Sequence, residues 1–400
     1  MRLNFKPFGN PLLLVSDGPE LTTGLARLCR DLASLASTLP QFRVATLGRA
    51  AIGSRKLPWM QYCFPESGQW GEDYLERAWV DFSGGDCGII MTLDDLSRRL
   101  WFAAPQASPP GVEKFLGPGR NYAKWAYVPI DGPGPNNHTL SIGMAAALHG
   151  YDRVCAASEW GRERMRATGR ADADWLPHGL WLDRFHPHTT PKEERKLLDN
   201  WEAGHTWIGC VMANQSRKDW PIAFEAAGLL KAQYGNALRC WFHTDRMQHY
   251  WNLYALAADY GLTDGTIEFT SDLSDEQMAL RYSACDCTML PSAGEGFGYP
   301  IAESMACGTP CVVTDFAAGQ ELVLEDMRVL PIATRTDTTH NVMRAVLGGQ
   351  GFARQIKFWA DRKRADWIGV SEECVARVEH LAWDKLEHVW KRWLLQGVGQ

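Results

Sequence analysis

The feature that most constrains this chain is an alternation of short apolar runs with amphipathic stretches. It begins near residue 11 and restarts near residue 206. PLLLVSDG reads as a buried strand ending in a glycine turn. TTGLARLCRDLASLASTL follows, with Leu25, Leu28, Leu32, Leu35 and Leu39 at helical spacing, and FRVATLG reads as the next strand. DCGIIMTLDD repeats the logic and leaves Asp94 and Asp95 at a strand's carboxyl end, the edge where open α/β sheets bind ligands. YAKWAYV is a strand, SIGMAAALHG a short helix, and YDRVCAASEWGRERMRATG a strand followed by a helix capped by Ser158.

The second series runs HTWIGCVMANQ, DWPIAFEAAGLLKAQYG, ALRCWFHTD, MQHYWNLYALAADYGL, TIEFTSD, SDEQMALRYSACD, CTMLPSAGEGFG, IAESMACG and TPCVVTDF. Strands and helices alternate with brief loops, which predicts mostly parallel sheets covered by helices on both faces. The run GGQGFARQIKFWADRKRADWIG reads as helix or loop. Between the two series, WLPHGLWLDRFHPHTTPKEERK is broken by Pro and Gly and then heavily charged, so the boundary is placed at about residues 180–200. A chain of 400 residues also exceeds what one core usually supports. The expected organisation is an α/β chain with one domain over 1–185, a second over 186–375 and a closing helix over 376–400, the two domains facing each other across a cleft suited to a nucleotide. EECVARVEHLAWDKLEHVWKRWLL is expected to form one helix, its stripe of Val375, Val378, Ala382, Leu386, Val389 and Trp393 packing across both domains.

Charge and cysteine narrow the classes. Lys and Arg number 41 against 47 Asp and Glu, so no basic tail or globally basic surface holds nucleic acid by its phosphates. A local basic groove remains open. The 11 cysteines form no ladder of paired motifs, and the Cys285–Cys287 pair lacks a partner at zinc-site spacing. They read as reduced, buried residues of an intracellular protein. The five-residue apolar run before Asp17 is too short for a secretory leader, and no run suits a membrane span. A cytoplasmic location is therefore expected. No metal site is expected, since Asp94 and Asp95 alone do not make one.

The densest chemistry lies in PSAGEGFGYPIAESMACGTPCVVTDFAAGQELV, residues 291–323. Gly294, Gly296 and Gly298 precede a helix start with Pro300 in its first turn, where backbone N–H groups can hold an anion. Glu295 and Glu303 would repel a phosphate but suit sugar and ribose hydroxyls as acceptors. The bland alternative is a glycine loop carrying two surface glutamates.

The pair of glutamates eight apart, with Gly-Phe-Gly between and ACGTPCVV after, resembles the retaining glycosyltransferases of GT-B fold usually numbered family four. SDGPELTTGLARLCRDL, VCAASEWGRERMRATG, WLPHGLWLDRFHP and GCVMANQSRKDWPIAFEAAGLL extend the resemblance over most of residues 12–325. It implies two Rossmann-like domains, an N-terminal acceptor half and a C-terminal donor half. It implies Glu303 on the donor ribose, Glu295 near the sugar 3-hydroxyl, and Gly296, Phe297 and Gly298 against the sugar and diphosphate. Lys218 is the implied diphosphate lysine. Asn214 stands where the family often has arginine, with Arg217 as the compensating cation. Gly24 and Thr23 match the loop approaching the donor phosphates, Thr270 lies at the strand end bordering the base pocket, and His178 matches a position of structural role near the hinge.

One departure matters. Relatives carry Thr-Leu-His-Asp where this chain reads Thr92-Leu93-Asp94-Asp95. Asp94 accepts but cannot donate when ionised, which puts the usual hexose pose in question. The simpler reading has Asp94 capping the following turn. Trp59, Tyr62, Phe64, Trp70 and Tyr74 are candidates for an aromatic acceptor cleft, and the loop with Asp131, Asn136, Asn137 and His138 borders the acceptor side. The implied reaction moves a sugar with retention from a UDP-, GDP- or ADP-sugar to an acceptor hydroxyl, with no required cofactor. A second reading is transfer onto modified bases in DNA or another macromolecule, which the DRKR run at 361–364 permits and the acidic balance disfavours. A third is a non-catalytic nucleotide-sugar-binding protein. A nicotinamide enzyme is disfavoured, because Gly-x-Gly-x-x-Gly is missing after the first strand.

Overall fold

Strand β1 (Asn10–Asp17) is buried along its whole length, as a central parallel strand must be when helices cover both faces. The computed structural model describes residues 3–49, 57–65, 70–103, 113–187, 191–198, 201–202, 204–263 and 265–398. The segment read as the interdomain boundary includes 188–190 and 199–200, which lie outside the described residues, as do 66–69 of the aromatic-rich stretch. The chain divides into two units: Met1–His178 with Thr338–Val342 and Asp384–Gln400, and Gly179–Asp337 with Met343–Trp383.

The first unit holds β1, β2 (Phe42–Arg49), β3 (Met60–Phe64), β4 (Gly88–Leu93), β5 (Tyr122–Val128), β6 (Arg153–Ala156) and β7 (Asp174–Trp175). They form one sheet in the order β3-β2-β1-β4-β5-β6-β7, and every pairing is parallel. Its helices are α1 (Gly24–Ser37), α2 (Glu72–Ser83), the short α3 (Leu100–Ala103) and α4 (Glu113–Leu116), α5 (Ile142–His149) and α6 (Glu159–Ala167). Ser158 caps α6 as expected, its hydroxyl accepting from the Gly161 amide at 3.0 Å.

The second unit repeats the plan. β8 (Thr206–Val211), β9 (Leu238–His243), β10 (Ile267–Thr270), β11 (Cys287–Leu290), β12 (Cys311–Thr314) and β13 (Arg328–Val329) form a parallel sheet in the order β10-β9-β8-β11-β12-β13. Short α7 (Pro191–Arg195), then α8 (Trp220–Tyr234), α9 (Leu253–Asp259), α10 (Asp275–Ala284) and α11 (Tyr299–Ala306) alternate with the strands. A two-stranded hairpin, β14 (Ala333–Asp337) and β15 (Val342–Val346), and the helices α12 (Gly349–Ala365), α13 (Trp367–Val378) and α14 (Trp383–Gln396) complete the chain. The same topology thus occurs twice, with its order reversing between β1 and β4 and again between β8 and β11. Ligands of doubly wound sheets bind outside the carboxyl ends of the strands at such reversals.

Three local readings change. The helix expected over MQHYWNLYALAADYGL begins only at Leu253, where Asn252 caps it by accepting from the Ala255 amide at 3.2 Å. The preceding residues are held out of helix by Asn214, described below. GGQGFARQIKFWADRKRA resolves to helix, as α12.

The closing helix is in fact two helices. The Leu180 amide donates to the Leu381 carbonyl at 2.8 Å and the Trp383 amide to the Leu180 carbonyl at 3.1 Å. This extended pairing takes the backbone groups that would have continued the helix through 379–382, although the apolar stripe runs on across the break. Helix α14 belongs with the first unit. There the Trp390 ring lies 5.1 Å from Tyr127 and the Trp393 ring 5.2 Å from Trp125. The Arg153 guanidinium sits 4.1 Å over Trp393, and the Trp393 indole donates to Asp174 at 2.8 Å.

Candidate active site

In the second unit the loops after β8 and β11 flank the sheet's reversal point. The first loop makes a tight turn over Ser216–Lys218 and then passes through Asp219, whose φ of 45° is left-handed, before α8 begins. The second runs from Pro291 to Gly298. Backbone bonds stitch the two together: the Ala293 amide donates to the Arg217 carbonyl at 2.7 Å. The Ala318 amide holds the Glu295 carbonyl at 3.0 Å, and the Ala345 amide holds that of Ala293 at 2.9 Å. Gly298 enters α11 at φ +103°, where an added Cβ would stand 2.7 Å from Ile301. Phe297 is buried, its ring 5.5 Å from Tyr299.

The glutamates sit in different company. Oε1 of Glu295 accepts from the Arg217 guanidinium at 3.0 Å and from the Lys218 ammonium. Lys218 and Glu295 are both buried, while Arg217 remains about a quarter exposed. Burial alone would raise the Glu295 pKa, but Arg217 and Lys218 outweigh it and hold the carboxyl at about 2. Two cations before a helix start gain nothing from its dipole, so Glu295 is what retains them there. Glu303, one turn into α11, is buried and accepts from the Tyr282 hydroxyl at 3.0 Å. Sequence reasoning missed Tyr282, because nothing in MALRYSACD marks it as facing α11.

Asn214 is buried and its side chain is fully used by scaffold. Its amide nitrogen donates to the carbonyls of Arg246 at 2.9 Å and Trp251 at 2.8 Å. Its oxygen accepts from the Trp251 amide at 2.9 Å, and its own backbone amide donates to Asp245 at 2.7 Å. The geometry makes it the clamp of segment 245–251, and Arg217 the neighbouring guanidinium that reaches the glycine loop, donating to the Gly294 carbonyl at 3.0 Å. The Thr270 hydroxyl ends β10 with Trp241 Nε1 at 2.8 Å and His243 Nδ1 at 2.9 Å.

In the first unit the corresponding loops follow β1 and β4. Thr23 caps α1, accepting from the Ala26 amide at 3.2 Å while donating to Asp17 at 2.7 Å. Gly24 is the first residue of that helix and is exposed. Asp17 also pairs with Arg49 at 3.3 Å. Asp94 is buried against Arg99 at 2.7 Å and Arg98 at 3.1 Å, and takes the Asp95 amide at 2.9 Å. It therefore closes the turn after β4, with Arg98 as the more exposed member of the group. Trp70 lies between Arg98, at 4.5 Å, and Arg49, at 5.1 Å. Phe64 is core, Tyr74 is exposed, and the loop residues Asn136, Asn137 and His138 are exposed. His178 is buried 3.1 Å from the Tyr127 hydroxyl, and burial pushes its pKa down to about 3.

The DRKR run is spent internally. Lys363 is buried against the Cys285 carbonyl at 2.8 Å and the Thr309 hydroxyl at 2.5 Å. Arg362 pairs with Glu373 at 2.6 Å, and Arg364 donates to Thr206 at 2.6 Å. All 11 cysteines are free thiols, nine of them buried. Among the described residues no group of three His, Cys, Asp or Glu side chains is placed to hold a metal, and no helix is long and apolar enough to cross a membrane.

Two doubly wound parallel sheets make up the GT-B fold, and the second carries a glycine loop and a Lys–Arg–Glu cluster at its reversal point. Residues 206–347 match the family model described as Glycosyl transferases group 1. In fold it is similar to sucrose-phosphate synthase from Thermosynechococcus elongatus, with TM-score 0.71 and 17% identity over 97% of this chain and 98% of that one. It is likewise similar to HepE of Anabaena in complex with UDP and glucose, with TM-score 0.69 and 16% identity over 97% and 99%. In sequence it is 33% identical over 131 residues to the MMP alpha-(1->4)-mannosyltransferase of Mycolicibacterium hassiacum, covering 31% of each chain. It is 26% identical over 168 residues to the serotype-specific mannosyltransferase WbdA of Escherichia coli, covering 41% of this chain and 20% of that protein. These matched stretches span a third or less of the curated relatives' length.

Proposed function

We propose that the protein transfers a sugar from a nucleoside-diphosphate-sugar to an acceptor hydroxyl with retention of anomeric configuration. The observation that carries this reading is the Lys218–Arg217–Glu295 cluster on the two switch-point loops, its Lys218 and Glu295 buried, inside the segment that matches the family. In this reading residues 1–185 form the acceptor half and 186–375 the donor half, with the residues from 376 as the closing segment.

Lys218 and Arg217 take the donor diphosphate, aided by the backbone of Gly296, Phe297 and Gly298. Glu303 accepts from the ribose hydroxyls and Glu295 from the sugar 3-hydroxyl. Thr270 borders the base, Thr23 and Gly24 approach the phosphates from the acceptor half, and Asn214 positions the loop around the site rather than touching the donor. Asp94 acts through Arg98. In the chemical step the bond from the anomeric carbon to the phosphate oxygen breaks and a bond to the acceptor oxygen forms on the same face. The acceptor proton passes to the departing diphosphate oxygen. The negative charge that grows there is what preorganised cations stabilise more in the transition state than in the ground state. The free, mostly buried thiols fit a cytoplasmic location.

A panel of UDP-, GDP- and ADP-sugars, read by thermal shift and by donor hydrolysis, tests the proposal. One donor should raise the melting temperature and release its nucleoside diphosphate. A panel with no binding and no release overturns it.

A further inference from the structure

Tyr282 lies in the last turn of α10, fully buried. Three contacts fix it. Its ring meets Trp241 edge-on at 5.4 Å. Its carbonyl accepts from the Thr309 hydroxyl at 2.7 Å, and that hydroxyl in turn takes the buried Lys363 ammonium. Its phenol donates to Oε2 of Glu303 at 3.0 Å. The terminal torsion of a glutamate is broad and roughly two-fold, so its carboxylate plane is set by whatever holds one oxygen. Here an immobile donor on the neighbouring helix holds it.

We infer that Tyr282 is the positioning residue for Glu303, fixing its carboxylate plane so that the donor's ribose hydroxyls are met in one orientation. This rests on the nucleotide-sugar reading of the same site. Burial, first, and the Glu303 carboxylate, second, drive the phenol's pKa far up, so it stays a donor at every working pH. The charge-assisted hydrogen bond from the phenol also offsets part of the cost of burying the Glu303 carboxylate in α11.

The test compares binding of a nucleoside diphosphate with that of its 2′-deoxy analogue, by calorimetry on the full chain, using UDP, GDP or ADP, whichever binds the wild type most tightly. Tyr282→Phe keeps the ring on Trp241 and removes only the hydroxyl. The ribose preference should fall roughly threefold or more, the effect of weakening one hydrogen bond to a charged group. In a Glu303→Gln background the same substitution should change the preference no further. Equal weakening of both ligands, or a further additive loss in the Glu303→Gln background, overturns the positioning role. A wild type that binds the nucleotide yet does not distinguish ribose from deoxyribose overturns the Glu303 assignment as well. A wild type that binds none of the three overturns the underlying reading of the site. Should the Phe protein show no cooperative unfolding, Tyr282→Leu, which has no side-chain donor, is measured instead against the same expectation.

Discussion

The guanidinium of Arg217 lies 3.0 Å from the same Glu295 oxygen that takes the ammonium of Lys218. One carboxylate thus holds two cations in place at the mouth of a helix that would otherwise repel them. Lys218→Ala should lower the transfer rate by roughly 10²-fold or more, the scale of losing one preorganised electrostatic partner. A rate near wild type would make Arg217 the principal cation. Glu295→Gln should destabilise the fold by about 3–5 kcal/mol, because it leaves buried charge uncompensated. Inorganic pyrophosphate should then raise the variant's melting temperature more than the wild type's; an equal rise would show that the cluster is not the diphosphate site.

Glu303→Ala should weaken donor binding strongly while the chain stays folded, read by calorimetry and circular dichroism. Unchanged affinity would remove the ribose assignment.

Asp219 combines a left-handed backbone with a carboxyl raised to about 6, chiefly by burial and also by Glu225, against the opposing pull of Arg335. The sign follows from proton linkage. A carboxyl whose folded pKa exceeds its unfolded one binds more protons when folded, so stability falls as pH rises from about 4 through about 6. Asp219→Asn should therefore raise the melting temperature at pH 8 and lose that advantage near pH 4. A gain of the same size at both pH values would assign it to backbone conformation instead.

Asn214→Ala should cost about 2–4 kcal/mol, since it leaves the carbonyls of Arg246 and Trp251 and the Trp251 amide without their partner. Urea unfolding measures this. Donor KM in the folded fraction should rise far less than in the Lys218 variant; an equal rise would give Asn214 a direct contact with the donor.

Trp390→Ala should cost about 3–5 kcal/mol, because the ring is fully buried against Tyr127 and its indole donates to the Pro177 carbonyl at 3.3 Å. A shift below 1 kcal/mol in denaturant unfolding would mean that α14 is dispensable to the first unit.

Much of this was legible in the chain. Apolar runs such as LLLV and GIIM, punctuated by glycine turns and helical leucine spacing, are what a parallel sheet with two covered faces demands, and the strands sit where those runs are. The glycines, Pro300 and the two glutamates marked the loop at β11. Less legible was how polar groups divide their partners. Asn214 and Lys218 lie four residues apart, yet one is consumed by a loop more than thirty residues on and the other by Glu295.

The sequence by itself determined the two rounds of strand and helix, the glycine loop and the types of group available at it, because periodicity and turn chemistry are local. Tertiary structure alone decided three things. It set Tyr282 on Glu303, buried Asp94 between two arginines, and split the closing helix where Leu180 pairs with Leu381 and Trp383. Each depends on a hydrogen bond or ion pair whose partner is remote in sequence or lies on another turn, and such a bond is worth most where water is excluded. Only the packed fold says where that is.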